Sequence, residues 1–181
     1  MEALKRVSPE KVGIHSQCIV DFIRQVRAEG IELHSLMILR HGKVCEEAWW
    51  KPYDSGTPQT MFSFSKSITS TAVGFAVQEG LICLNEKLTE AFAGDLPELI
   101  DENLKEATVR DLLTMCLGQE KGSLMGEQRP LYEEDNWVKM SLAIPFKYKP
   151  GTHFVYNNVG PYLAGILVQR RSGCDLVSYL T

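Results

Sequence analysis

Ser63, Phe64, Ser65 and Lys66 set a hydroxyl and an amine three residues apart. On a helix that spacing puts both groups on one face, close enough to share a proton. A serine oxygen is a weak nucleophile until a neighbouring base takes its proton, and a lysine inside the fold becomes such a base when desolvation or a nearby cation lowers its pKa. In the first turn of a helix, Ser63 would also meet unpaired backbone N–H groups and the positive end of the helix dipole, which stabilise a developing oxyanion. The bland alternative is a serine-rich helix start, Ser63, Ser65 and Ser67. With 12 serines and 11 lysines in the chain, about 0.7 such pairs arise by chance. Ser8 and Lys11 form a second pair, but Pro9 directly follows that serine and helix capping explains it.

A second constellation lies in Pro150 to Asn158, where Tyr156 and Asn158 sit two apart just before a helical pattern. Six tyrosines and five asparagines predict only about 0.2 such pairs by chance, so the two motifs together say more than either alone. A phenol beside an ammonium is stabilised as phenolate, and can take the serine proton and later return it to a leaving group. An asparagine amide beside it can hold a substrate carbonyl or the lysine. The structural alternatives are a buried tyrosine with a satisfied hydroxyl and, for Asn158, a helix N-cap.

These residues need elements to hold them. Ser8-Pro9-Glu10 reads as a cap, a first-turn proline and an early acid, leading after Gly13 into a helix with Ile19, Phe22, Ile23 and Val26 on one face and Gly30 as its end. Leu36–Arg40 and Val44–Trp50 flank His41-Gly42 as a tight hairpin, the one strand pair that the pattern supports. A Pro-, Gly- and Ser-containing connection, Lys51 to Gln59, precedes a long, largely buried helix over Phe62 to Glu79 that Gly80 stops. Thr108 and Asp111 resemble a capping box before Leu112, Leu113 and Met115. Gly118 to Asn136 reads as loop, and Trp137 to Ile144 as a helix before Pro145. Asn158 to Arg171 carries Leu163, Ile166 and Leu167 with Gly160, Ala164 and Gly165 between them, a helix packed closely on a neighbour and ended by Gly173. A further helix opens at Leu176.

Composition bounds what such a chain can do. At 181 residues, 44% hydrophobic and 23% charged, it can bury a substantial core. A net charge of −4 with interspersed signs gives no footprint for nucleic acid. No run of about 18 apolar residues marks a membrane span, and the first residues hold no secretory apolar stretch. The five cysteines are widely spaced and odd in number, which reads as reduced thiols and a cytoplasmic setting. His15, His34, His41 and His153 are scattered, with no metal-ligand spacing, so no metal or other cofactor is expected. Neither a G-x-S-x-G elbow nor a phosphate-binding glycine loop occurs.

Ser63-x-x-Lys66, followed about ninety residues later by a proline-glycine turn and Tyr156-x-Asn158, resembles the first two signatures of the serine beta-lactamase and penicillin-binding-protein superfamily, in its class C-like branch. The likeness extends to the His41-Gly42-Lys43 hairpin, the Leu112–Met115 helix and the Gly160–Gly173 helix. It implies an α+β fold in which helices pack on an antiparallel sheet beside a helical subdomain, here incomplete with mainly the first hairpin of the sheet. Residues 1–181 are then the N-terminal portion of one such domain: 1–62 the N-terminal helix and hairpin, 63–160 the nucleophile helix and helical region, 161–181 the start of the return to the sheet. The resemblance implies a serine hydrolase that cleaves a small-molecule amide or ester through an acyl-serine intermediate, with Ser63 acylated, Lys66 and Tyr156 relaying protons and Asn158 contacting substrate. The family's third signature, a Lys or His, a small residue and Gly on a strand after the second signature, is missing. Lys149-Pro150-Gly151 precedes Tyr156 and cannot replace it, because proline removes a ladder N–H. The alternative is therefore a catalytically incompetent fragment or binding module, and an incomplete sheet favours self-association.

Overall fold

The computed structural model describes residues 3–121, 124 and 135–181. The loop expected from Gly118 to Asn136 therefore lies largely outside the described residues. The chain divides into two compact units, Met1–Thr60 and Met61–Thr181, and the α+β class expected is the one observed.

In the first unit a 3-10 turn, Pro9–Val12, precedes α1 (Ser16–Ala28). Ser8 occupies the cap position without a side-chain cap bond; the Glu10 carboxylate instead accepts the Ser16 N–H at 3.0 Å. Ile19 and Val26 are buried on α1, whereas Phe22 is exposed. Strands β1 (Ser35–Arg40) and β2 (Lys43–Trp49) form the antiparallel hairpin. His41 and Gly42 turn it with φ of 51° and 67°, the left-handed pair whose twist matches the strands. A bulge at Ile38/Leu39 leaves Cys45 between partners. The sequence pattern does not reveal a second neighbour of β2: Val7 N–H donates to Val44 O and Val44 N–H to Lys5 O, a contact of three residues, too short to carry a period.

The second unit is helical, and α7 (Val159–Ser172) lies at its centre. Val159, Leu163, Ala164, Leu167 and Val168 are all buried, as expected of a helix apolar on more than one face. Against it pack α2 (Ser65–Gln78), α5 (Val109–Leu113) and α8 (Leu176–Leu180). Between α2 and α5 come two short helices, α3 (Leu88–Ala91) and α4 (Glu102–Glu106), with Leu88 and Leu104 buried. Each buried leucine contributes about 1.5–3 kcal/mol. The capping box at α5 forms through Asp111, whose Oδ2 accepts Thr108 N–H at 2.9 Å and Thr108 Oγ1–H at 2.6 Å. α6 (Trp137–Ala143) is capped by Asn136, whose Oδ1 accepts the Val138 and Lys139 N–H groups.

The helix expected to be largely buried over Phe62–Glu79 is α2, and its burial is partial. Ala72, Val73 and Ala76 face the core, while Phe64, Ile68 and Phe75 are half exposed. Apolar composition records what a helix can bury; α7 covers only one stripe of it.

Close packing at α7 is decided by Gly160. A Cβ built there would lie 2.4 Å from Leu112 O, so any side chain forces α7 off the end of α5. At Gly165 a Cβ would meet only Thr69 and Leu176 side chains at 3.6 Å, ordinary contact. Gly160→Ala is accordingly expected to destabilise the protein by about 1–3 kcal/mol, and Gly165→Ala by under about 1 kcal/mol, in urea unfolding. Equal losses at the two positions would contradict this account.

Candidate active site

Ser63 lies in a 3-10 turn, Phe62–Phe64, directly before α2, rather than within the first α-helical turn. The interruption comes from Phe62, which takes φ of 44°. Lys66 follows in the first turn of α2 and donates from Nζ to Ser63 Oγ at 3.0 Å. The three-residue spacing thus delivers the shared-proton contact that it promised. Lys66 is half-buried rather than enclosed, because its amine opens onto cavities beside the helix.

Tyr156 reaches the pair from a separate extended segment. Gly151 N–H donates to Cys116 O at 2.8 Å and Val155 N–H to Met115 O at 2.9 Å, so residues 151–155 lie along the stretch that follows α5. Gly118 permits the approach: at φ of 101°, its missing Cβ would stand 2.4 Å from Tyr148 O. The Lys66 Nζ sits 5.2 Å from the centre of the Tyr156 ring, within range of a cation–π attraction. Hydrogen bonding with Ser63, then with Lys66, together with the Lys66 charge, holds the Tyr156 phenol below its ordinary pKa, while desolvation opposes them. The tyrosine is half exposed, not a buried residue with its hydroxyl spent on the core.

Asn158 is half-buried and lines the same cavity as Ser63, Lys66 and Tyr156. It stands at the cap position of α7 without making a side-chain cap bond. The cap is Asn157: it is 2% exposed, its Oδ1 accepts Gly160 N–H at 2.9 Å and its Nδ2 donates to Val155 O at 2.8 Å. Those two bonds bracket Tyr156 on both sides. Two adjacent asparagines look alike in sequence, and only packing separates the buried clamp from its neighbour at the cavity.

Two cavities flank the Ser63–Lys66–Tyr156 cluster, one of about 330 Å³ and one of about 500 Å³. Trp137, on the wall of the larger one, is placed by a polar hub that the sequence does not reveal. Asp95, nearly buried, accepts from Asn136 Nδ2 at 2.8 Å and from Arg170 Nη1 at 2.6 Å, tying the start of α6 to α7. Hydrogen bonding with Arg170 holds the Asp95 carboxyl below the usual carboxylate range. Among the described residues, no group of three or more His, Cys, Asp or Glu side chains is placed to hold a metal ion, and no helix is long and apolar enough to cross a membrane.

The fold agrees with what comparison finds. The chain belongs to the beta-lactamase family, whose model matches residues 19–181. No curated protein matches it in sequence. Among solved structures it is similar to a beta-lactamase/D-alanine carboxypeptidase from Pseudomonas syringae, at a TM-score of 0.65 and 23% identity over 89% of this chain and 46% of that one. It is similar also to a family VIII carboxylesterase, at 0.66 and 23% over 91% and 47%, and to a class C beta-lactamase solved with cefoxitin, at 0.67 and 20% over 89% and 46%. At these identities the likeness is one of fold, the beta-lactamase/transpeptidase-like fold in its N-terminal portion. The chain spans about half the length of the structures it resembles.

The lowered phenol pKa has a sign that can be checked. In ultraviolet difference titration one tyrosine should ionise below the ordinary value of 10.0, and that step should vanish in Tyr156→Phe. Ser63→Ala should move it back towards 10, since hydrogen bonding with Ser63 is the largest cause, and Lys66→Met should do the same. Because ionisation is easier in the folded state, the contribution of Tyr156 to stability grows as pH rises past the folded pKa and is lost as pH falls through it.

Proposed function

We propose that this chain is a serine hydrolase that cleaves a small-molecule amide or ester through a covalent acyl-serine intermediate, with Ser63 as nucleophile, Lys66 and Tyr156 as proton carriers and Asn158 as a substrate contact. The observation that carries the reading is the 3.0 Å contact from Lys66 Nζ to Ser63 Oγ beside a phenol biased towards phenolate. Lys66 donates to the serine oxygen, so the serine's own proton is available to Tyr156. As Ser63 Oγ bonds to the substrate carbonyl carbon, the proton passes to the Tyr156 oxygen. As the tetrahedral intermediate breaks its bond to the leaving oxygen or nitrogen, the phenol returns the proton there. Water then repeats the sequence, forming a bond to the acyl carbon while the Ser63 Oγ–carbon bond breaks. Family membership and the hydrolases among the similar folds favour the same chemistry. All five cysteines are free, in keeping with a reducing compartment, and the reading includes a cytoplasmic setting.

One observation favours a second reading, acylation without turnover: the chain spans about half the length of the structures it resembles. The two separate in one experiment. Wild-type protein treated with a fluorophosphonate should gain one adduct on Ser63 by mass spectrometry, Ser63→Ala none, and Tyr156→Phe or Lys66→Ala should react about 10²–10⁴-fold more slowly. Sustained product release from an activated ester supports hydrolysis, and a single stoichiometric burst supports the second reading. Folded wild-type protein that takes no label refutes both.

A further inference from the structure

The two cavities beside Ser63 have walls of different chemistry. The larger is faced by Phe62, Leu124, Trp137 and Tyr162. Trp137 and Tyr162 meet edge to face, with centroids 6.3 Å apart at 63°, an arrangement that gives a rigid aromatic wall. Burial pushes the Tyr162 phenol up, so that ring stays neutral. Among the described residues lining this cavity, no Asp, Glu, Arg or His side chain accompanies Lys66. The smaller cavity shares Ser63, Lys66 and Tyr156 but is otherwise edged by the hydroxyl-bearing Ser67, Thr69 and Ser70 along α2, opposite Leu113, Met115 and Pro161.

An acyl-serine reaction makes different demands on the two sides of the carbonyl. The leaving group departs from one side, and the water that releases the acyl group arrives along the same path, deacylation being acylation run backwards with water in place of the leaving group. That side must solvate a water, which needs two to four polar partners. The other side holds the acyl group throughout and is best served by dry, apolar contact. The hydroxyl-edged cavity suits the first demand, and the aromatic one suits the second.

Resting on the reading that Ser63 is acylated, we propose that the substrate's acyl group is uncharged and apolar, seated against Trp137 and Tyr162, and that the leaving group and then the attacking water occupy the cavity edged by Ser67 and Ser70. Acylation joins Ser63 Oγ to the acyl carbon and breaks the acyl–oxygen bond, the Ser63 proton leaving on the alcohol. Deacylation joins water oxygen to the same carbon and breaks the Ser63 Oγ–acyl bond; one water proton restores the Ser63 hydroxyl and the other leaves with the carboxylic acid.

The test uses the 181-residue chain with p-nitrophenyl acetate, butanoate, hexanoate, phenylacetate and hemisuccinate. The readout is the rate of p-nitrophenol release in the burst, divided by each ester's own hydrolysis rate in buffer, with the Ser63 adduct identified by mass. Hexanoate and phenylacetate should acylate at least about tenfold faster than acetate, and hemisuccinate no faster than acetate. Trp137→Ala should shrink the hexanoate-to-acetate ratio to within about threefold, and Trp137→Phe should keep most of it. If Trp137→Ala fails to fold, the wild-type series and Trp137→Phe decide. A flat wild-type series or a preference for hemisuccinate overturns the assignment while leaving acylation of Ser63 standing. If no ester acylates folded protein, the acyl-serine reading itself fails, and this inference falls with it.

Discussion

The site depends on how closely α7 approaches α5. Gly160 lets the start of α7 lie on Leu112 O, where a Cβ would stand at 2.4 Å, and Asn157 clamps the same helix start through Gly160 N–H while holding Val155 O. Tyr156 lies between the two clamped residues, so that packing fixes its backbone on both sides. Lys66 lies in α2 and Ser63 in the turn just before it, and α2 packs on the same central helix. One close approach therefore brings together groups about ninety residues apart in the chain. Moving α7 outward by the width of a methyl group would shift the phenol relative to an amine and a hydroxyl whose own 3.0 Å contact is local to α2.

Electrostatics in this arrangement follow from the same placement. Lys66 and Ser63 can meet through sequence spacing alone, but the phenol is biased only because a separate segment carries it into their reach. The effect is direct hydrogen bonding first and charge second, with desolvation opposing both. A half-exposed tyrosine has lost little of its hydration, so the bias towards phenolate comes from its two neighbours rather than from burial. That distinguishes the phenol from one tuned by a dry interior, where burial would favour its neutral form. Here Lys66 stays half-buried, with its amine in contact with the serine oxygen.

What could be read from the sequence was local. The hairpin at His41-Gly42, the Asp111 capping box, α6, and α7 with its small residues each rest on a signal within a few positions, and each is present. Ser63 with Lys66 was legible for the same reason. The hub at Asp95 was not, since its partners Asn136 and Arg170 lie 41 and 75 residues away. Helices α3 and α4 span about a turn each and carry no period, and α2 proved less buried than its composition implied because coverage is a property of its neighbours. The choice between Asn157 and Asn158 as the cap turned on which side chain packing encloses, a tertiary fact.

Backbone strain is concentrated around the same cluster. Among the described residues, the non-glycine positions with positive φ are His41, Phe62, Met115 and Leu124. His41 is accounted for by its hairpin turn. The other three all line the cavities beside Ser63. Such conformations cost about 1–3 kcal/mol each and persist only where surrounding structure over-determines them. Phe62 breaks the helical path immediately before Ser63, so the hydroxyl stands at the entrance of α2 instead of within a continuous turn. Met115 turns the chain where its carbonyl receives Val155 N–H, one residue from Tyr156. Leu124 lies on the aromatic cavity's wall. The described non-glycine residues with positive φ outside the hairpin therefore gather around one cluster, where each lowers stability and is held by the packing about it.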